Sequence, residues 1–153
     1  MLNRLKEVFK SFQKHDVKYV VIGGIASILY GVPRATFDLD ILIEPTTDNG
    51  RRLLEALLES GIGTASLTTI EKLLGNEITV FKDIVRIDVQ TSTPGVTFRE
   101  VWKRKVTMKY QDQEFYLLSK ADLIKSKRAS GRDIDLQDVR LIETQEDISE
   151  DKA

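Results

Sequence analysis

The chain has 153 residues, ordinary fractions of apolar and charged side chains, a net charge of −1 and no cysteine. That composition fits one globular domain with a core of its own. It excludes disulfides, thiolate metal sites and thiol nucleophiles, and it leaves no global basic footprint for nucleic acid.

Leu2, Leu5, Val8, Phe9 and Phe12 recur at helical spacing and predict an amphipathic helix to His15. Tyr19 to Ile22 is a β-branched apolar run of the buried-strand type. It stops at Gly23-Gly24, and a short apolar helix follows from Ile25 to Tyr30 before Gly31 and Pro33. Asp38 to Ile43 alternates as a strand with one polar edge. Thr47 or Asp48 is expected to cap a helix to Ser60, with a weaker helical segment over Thr68 to Gly75. Glu77 to Phe81 and Val85 to Gln90 read as strands joined by a turn at Lys82-Asp83. Thr97 to Trp102 is ambiguous. Val106 to Tyr110 and Glu114 to Leu118 form another strand pair. Ser119 caps a helix to Ala129 that Gly131 closes, and Asp133 is expected to cap a last helix to Glu143. The order of elements is α+β. Residues 1–143 form the domain and 144–153 an acidic, frayed tail. No apolar run reaches the length of a membrane span and no leader is visible, so a cytoplasmic protein is expected.

Chemistry concentrates between Gly23 and Ile43. Gly23 and Gly24 lack a Cβ, so their amides are able to approach a ligand at the start of a helix, where phosphate is favoured. Asp38 and Asp40 are two apart on a strand and share one face. Such carboxylates repel one another unless a cation lies between them, and hard oxygen ligands select Mg²⁺ or Mn²⁺. Arg34, just before this strand, is of the right type for a bidentate grip on triphosphate, although a salt bridge or a solvated loop is an equal reading. The cations from Lys120 to Arg132 read mainly as solvated charge, with Asp133, Asp135 and Asp138 as a cap and surface partners. His15 reads as a helix-end residue and Trp102 as core.

Ile22-Gly23-Gly24, thirteen residues, then Asp38-Leu39-Asp40-Ile41 resembles the signature of the DNA polymerase β-like nucleotidyltransferase superfamily. The longer run GGIASILYGVPRATFDLDILIE is similar to the small AbiEii-like and minimal-nucleotidyltransferase groups, with a weaker echo in SKADLIKSKRASGRDIDLQD. The resemblance implies a nucleotidyltransferase fold, with a mixed, twisted sheet and helices mostly on one face. It implies that Gly23 and Gly24 hold a nucleoside triphosphate and that Asp38 and Asp40 are the first two metal carboxylates. It also calls for a third carboxylate on a later strand. Asp88 fits best, because Arg86, Asp88 and Gln90 alternate with apolar residues, whereas the rival Asp83 falls in a turn. The implied reaction is Mg²⁺-dependent transfer of a nucleoside monophosphate to a hydroxyl on RNA (tRNA included), a protein or a small molecule. The alternative is a non-catalytic nucleotide-binding module, such as half of a toxin–antitoxin pair completed by a small helical partner protein.

Overall fold

A computed structural model describes residues 2–36 and 38–145, apart from the side chain of Leu2. Most of the expected tail, 146–153, lies outside the described residues.

The elements, in chain order, are α1 (Leu2–Lys14), β1 (Tyr19–Ile22), α2 (Gly23–Leu29), β2 (Asp38–Ile43), α3 (Thr47–Glu59), a 3₁₀ segment (Gly63–Leu67) and α4 (Ile70–Gly75). There follow β3 (Ile78–Lys82), β4 (Arg86–Gln90), α5 (Phe98–Lys103), β5 (Val106–Tyr110), β6 (Gln113–Leu117), α6 (Lys120–Ser130) and α7 (Asp133–Glu143). The strands form one six-stranded mixed sheet in the order β3-β4-β2-β1-β6-β5. β2 is antiparallel to β1 and parallel to β4, and β1 is parallel to β6.

Every residue of β1 is buried, as are Ile41, Leu42 and Ile43 in succession on β2. Consecutive strand residues point to opposite faces, so the middle of the sheet is covered on both sides. One-sided burial appears instead on β4, where Ile87 and Val89 are buried and Arg86, Asp88 and Gln90 are only partly so. Leu5, Val8, Phe9 and Phe12 carry α1 into the core, with Phe9 stacked 4.7 Å from Phe115.

Caps account for most shifted boundaries. Thr46, not Thr47 or Asp48, caps α3 by accepting the Asn49 N–H at 3.2 Å. The ambiguous stretch after residue 97 is helix α5, because Thr97 accepts the Glu100 N–H at 3.4 Å while its hydroxyl meets the Glu100 carboxylate at 3.1 Å. Ser119 caps α6, and Gly131, at φ +67°, ends it in the left-handed region as expected. Asp133 is not a cap. It is the first residue of α7, whose capping position, Arg132, makes no side-chain cap bond. The turn between β3 and β4 sits one residue later than expected, closed by the Asp83 N–H on the Val85 carbonyl at 3.2 Å.

Candidate active site

Strand register builds the site. In the parallel β2–β4 pair, Asp40 stands opposite Asp88 and Asp38 opposite Arg86. Since side chains two apart share a face, the four charged groups form a square on one side of the sheet, above the buried Leu39, Ile41, Ile87 and Val89. The Asp88 side chain is 14% exposed and that of Asp38 40%, so the square runs from a recessed to an open corner.

Gly23 and Gly24 are the first residues of α2 rather than a turn ahead of it. Gly23 has φ +70°, and a Cβ there would lie 2.5 Å from Asp40 Oδ2. Glycine is therefore required on two grounds, conformation and contact. A Cβ on Gly24 would touch Thr36 Oγ1 at 3.2 Å, the same hydroxyl that accepts the Asp38 N–H at 3.4 Å. The glycine pair thus packs directly against the start of the Asp-Leu-Asp strand.

The electrostatics are unbalanced. Burial, then the charges of Asp88 and Asp38, push the Asp40 carboxyl up to about 6, against a weaker opposing hydrogen bond from the Gly24 backbone. Arg86 is the cation that answers this charge. Its Nε donates to Asp88 Oδ1 at 3.0 Å, its Nη2 to Asp88 Oδ2 at 3.3 Å, and its Nε lies 3.8 Å from Asp38 Oδ2. With Arg86 so placed, no three acidic side chains among the described residues converge closely enough to hold one metal ion. The three carboxylates stand in register on adjacent strands and are oxygen donors of the type a hard divalent cation takes, while burial first, and then the charges of Asp88 and Asp38, makes Asp40 hold its proton more tightly than usual. Holding an ion there requires Asp38 and Asp88 to turn from Arg86 toward Asp40.

Sequence reasoning named Asp38, Asp40, Asp88, Gly23 and Gly24, and the fold brings these five together. It assigned Arg86 no role. The signal was present in Arg86-Ile87-Asp88, where i and i+2 on a strand are neighbours on one face. Arg34 stands elsewhere: its Nη1 and Nη2 donate to the Asp138 carboxylate at 2.9 and 2.7 Å. This is the salt-bridge reading, and it ties the segment before β2 to α7. Asp138 is 1% exposed and also accepts from Lys127 Nζ at 2.9 Å, while Lys127 reaches Asp135 at 3.2 Å. Asp135 and Asp138 are thus buried partners, which corrects their reading as surface residues. His15 lies between Glu55 and Glu59, its Nε2 2.5 Å from Glu59 Oε2. Trp102 stacks on Phe98 at 5.5 Å and meets Tyr116 edge-on at 5.2 Å, as core aromatics do. No helix among the described residues is long and apolar enough to cross a membrane.

A search of curated proteins finds no match to this chain. A family model described as a nucleotidyltransferase of unknown function, DUF6036, matches residues 1–152. The match runs over the glycine pair, the two aspartates of β2 and Asp88 alike, and the chain belongs to this nucleotidyltransferase family.

Proposed function

We infer that the protein transfers a nucleoside monophosphate from a nucleoside triphosphate to a hydroxyl, in the manner of the small AbiEii-like and minimal nucleotidyltransferases. The observation that carries this reading is the register of β2 and β4, which sets Asp40 beside Asp88 and Asp38 one step away, next to Gly23. Family membership supports the reaction class.

Asp38, Asp40 and Asp88 would hold Mg²⁺, or Mn²⁺, whose charge offsets that of the triphosphate oxygens. Gly23 and Gly24 give the triphosphate room beside the start of α2. Asp88, whose side chain is 14% exposed against 40% for Asp38, accepts the proton of the attacking hydroxyl. The hydroxyl oxygen forms a bond to the α-phosphorus, the bond from that phosphorus to the bridging oxygen breaks, and pyrophosphate leaves with the electron pair. For this, Arg86 has to release Asp88. Its guanidinium is the right group to meet a phosphate oxygen instead.

The test uses purified protein, Mg²⁺ and each α-labelled nucleoside triphosphate, offered RNA, polypeptide and small-molecule fractions in turn. Transfer of label with pyrophosphate release, present in wild type and absent in Asp88→Asn, is expected. Binding of a triphosphate without transfer to any fraction would replace this reading with a nucleotide-binding module that needs a partner protein.

A further inference from the structure

Strand register carries the face of the carboxylate square outward past β4. In the antiparallel β3–β4 pair, Val80 stands opposite Asp88, Lys82 opposite Arg86 and Ile78 opposite Gln90. Directly opposite residues share a face, so these three β3 side chains lie on the same side of the sheet as Asp38, Asp40 and Asp88. The two ends of this face differ. Toward β1 it is closed: Ile22, opposite Asp40, is buried, and Gly23 packs on the Asp40 carboxylate. Toward β3 it is open, with Val80 43% exposed and Lys82 exposed beside it.

In the transfer proposed above, on which this inference rests, the attacking hydroxyl and the leaving pyrophosphate lie on opposite sides of the α-phosphorus. The glycine pair gives the triphosphate room on the β1 side, so the acceptor hydroxyl reaches Asp88 from the β3 side. The molecule that bears this hydroxyl then passes over Val80 and Lys82. Arg86 is held by Asp88 and Asp38. The Lys82 ammonium, by contrast, has no ion-pair or side-chain hydrogen-bond partner among the described residues. Once Arg86 releases Asp88, as the transfer requires, two like charges stand directly opposite on one face, and an anion between them removes the repulsion. A phosphate group answers a guanidinium and an ammonium together better than a lone carboxylate does, because it brings more charge and more oxygens. A cationic acceptor would meet Lys82 with like charge. We propose that the acceptor carries a phosphate group close to its reacting hydroxyl, and that Lys82 holds this phosphate while the hydroxyl meets Asp88.

The experiment follows the Lys82 ε-methylene signal by NMR in the full chain as ribose, ribose 5-phosphate or an oligouridylate is added, with dissociation constants read from the amide signals of β3 and β4. The wild-type signal should move with both phosphate-bearing probes and not with ribose. Lys82→Gln, at an exposed position, should weaken their binding about fivefold or more with unchanged melting temperature, and Lys82→Arg should restore it. Tighter binding of the oligouridylate assigns the acceptor to RNA, and tighter binding of ribose 5-phosphate assigns it to a small phosphorylated compound. Binding of a nucleoside triphosphate with Mg²⁺, measured by thermal shift, should be equal in wild type and Lys82→Gln. Weaker triphosphate binding in Lys82→Gln puts Lys82 on the nucleotide instead of the acceptor and overturns the proposal. So does a Lys82 signal that neither phosphate probe moves, or self-association of the wild type that Lys82→Glu abolishes. Absence of triphosphate binding in the wild type is a separate result: it defeats the transfer reaction itself, and this proposal with it.

Discussion

Among the described residues, Arg86 is the cation paired with the Asp38 and Asp88 carboxylates, whereas Asp135 and Asp138 are met by Lys127, Arg132 and Arg34. The consequences run in opposite directions. On the sheet, burial and neighbouring carboxylates hold the Asp40 proton on up to about 6. On α7, burial alone would also raise Asp135. The Ser130 hydroxyl, then Lys127, then Arg132 outweigh it and hold that carboxyl below its usual range. A cluster that satisfies its own charges is finished as a structure. A partly buried cluster of carboxylates with one guanidinium against it is of the type the proposed metal–triphosphate site would use.

Four perturbations break or sharpen this contrast. The largest is Asp138→Ala, which strands Arg34 and Lys127 beside a cavity. Loss of one partner from such a buried network costs about 3–5 kcal/mol, to be read from urea unfolding. The wild-type midpoint retained would contradict the structural role of the α7 cluster. Asp40→Asn should do the reverse, lowering nucleotide transfer by about 10²–10³-fold while leaving the fold as stable as wild type or more so. Gly23→Ala should lie between, costing about 1–3 kcal/mol through positive φ and the collision with Asp40. A Gly23→Ala variant with unaltered melting would show that the approach of α2 to β2 is not tight.

The smallest effect is on pH. Asp40 binds its proton more tightly folded than unfolded, where its value is near 3.8. Its contribution to stability is therefore present below about 4 and is lost as pH rises to about 6. Partial exposure reduces the full linkage to about 1–2 kcal/mol. Asp135, held low, has the opposite sign: its stabilisation is present above the ordinary carboxylate range and disappears as pH falls below it. The melting temperature of metal-free wild type, minus that of Asp40→Asn, should fall between pH 4 and 6. A flat difference would refute the burial and carboxylate crowding that hold the Asp40 proton on.

Much of this was readable from residue order, because local rules govern it. Strand alternation placed Asp38, Asp40 and Asp88, and the Gly23-Gly24 break marked where β1 gives way to α2. What escaped depends on residues far apart in the chain. Arg34 and Asp138 lie 104 positions apart, and no local pattern pairs them. Asn49 is buried because its side chain takes the Lys18 N–H at 2.8 Å and donates to the carbonyls of Lys18 and Glu44, each at 2.9 Å. Polar residues of this kind look like surface until the chain closes around them. The helix at α5 was a different failure. Thr97-Phe98-Arg99-Glu100 is a capping-box pattern, local and unread. The cover on both faces of β1 also needed the tertiary structure, since a short all-apolar run does not say what covers it.

The most direct measurement is thermal unfolding of wild type and Asp40→Asn with each nucleoside triphosphate, with and without Mg²⁺. A ligand at about 100 times its Kd adds about 2.7 kcal/mol of stability, a shift of several degrees. The account predicts a Mg²⁺-dependent rise in wild type for at least one triphosphate and none in Asp40→Asn. An equal rise in both proteins, or no rise with any triphosphate, would contradict the claim that this square of charges is where the metal and the triphosphate bind.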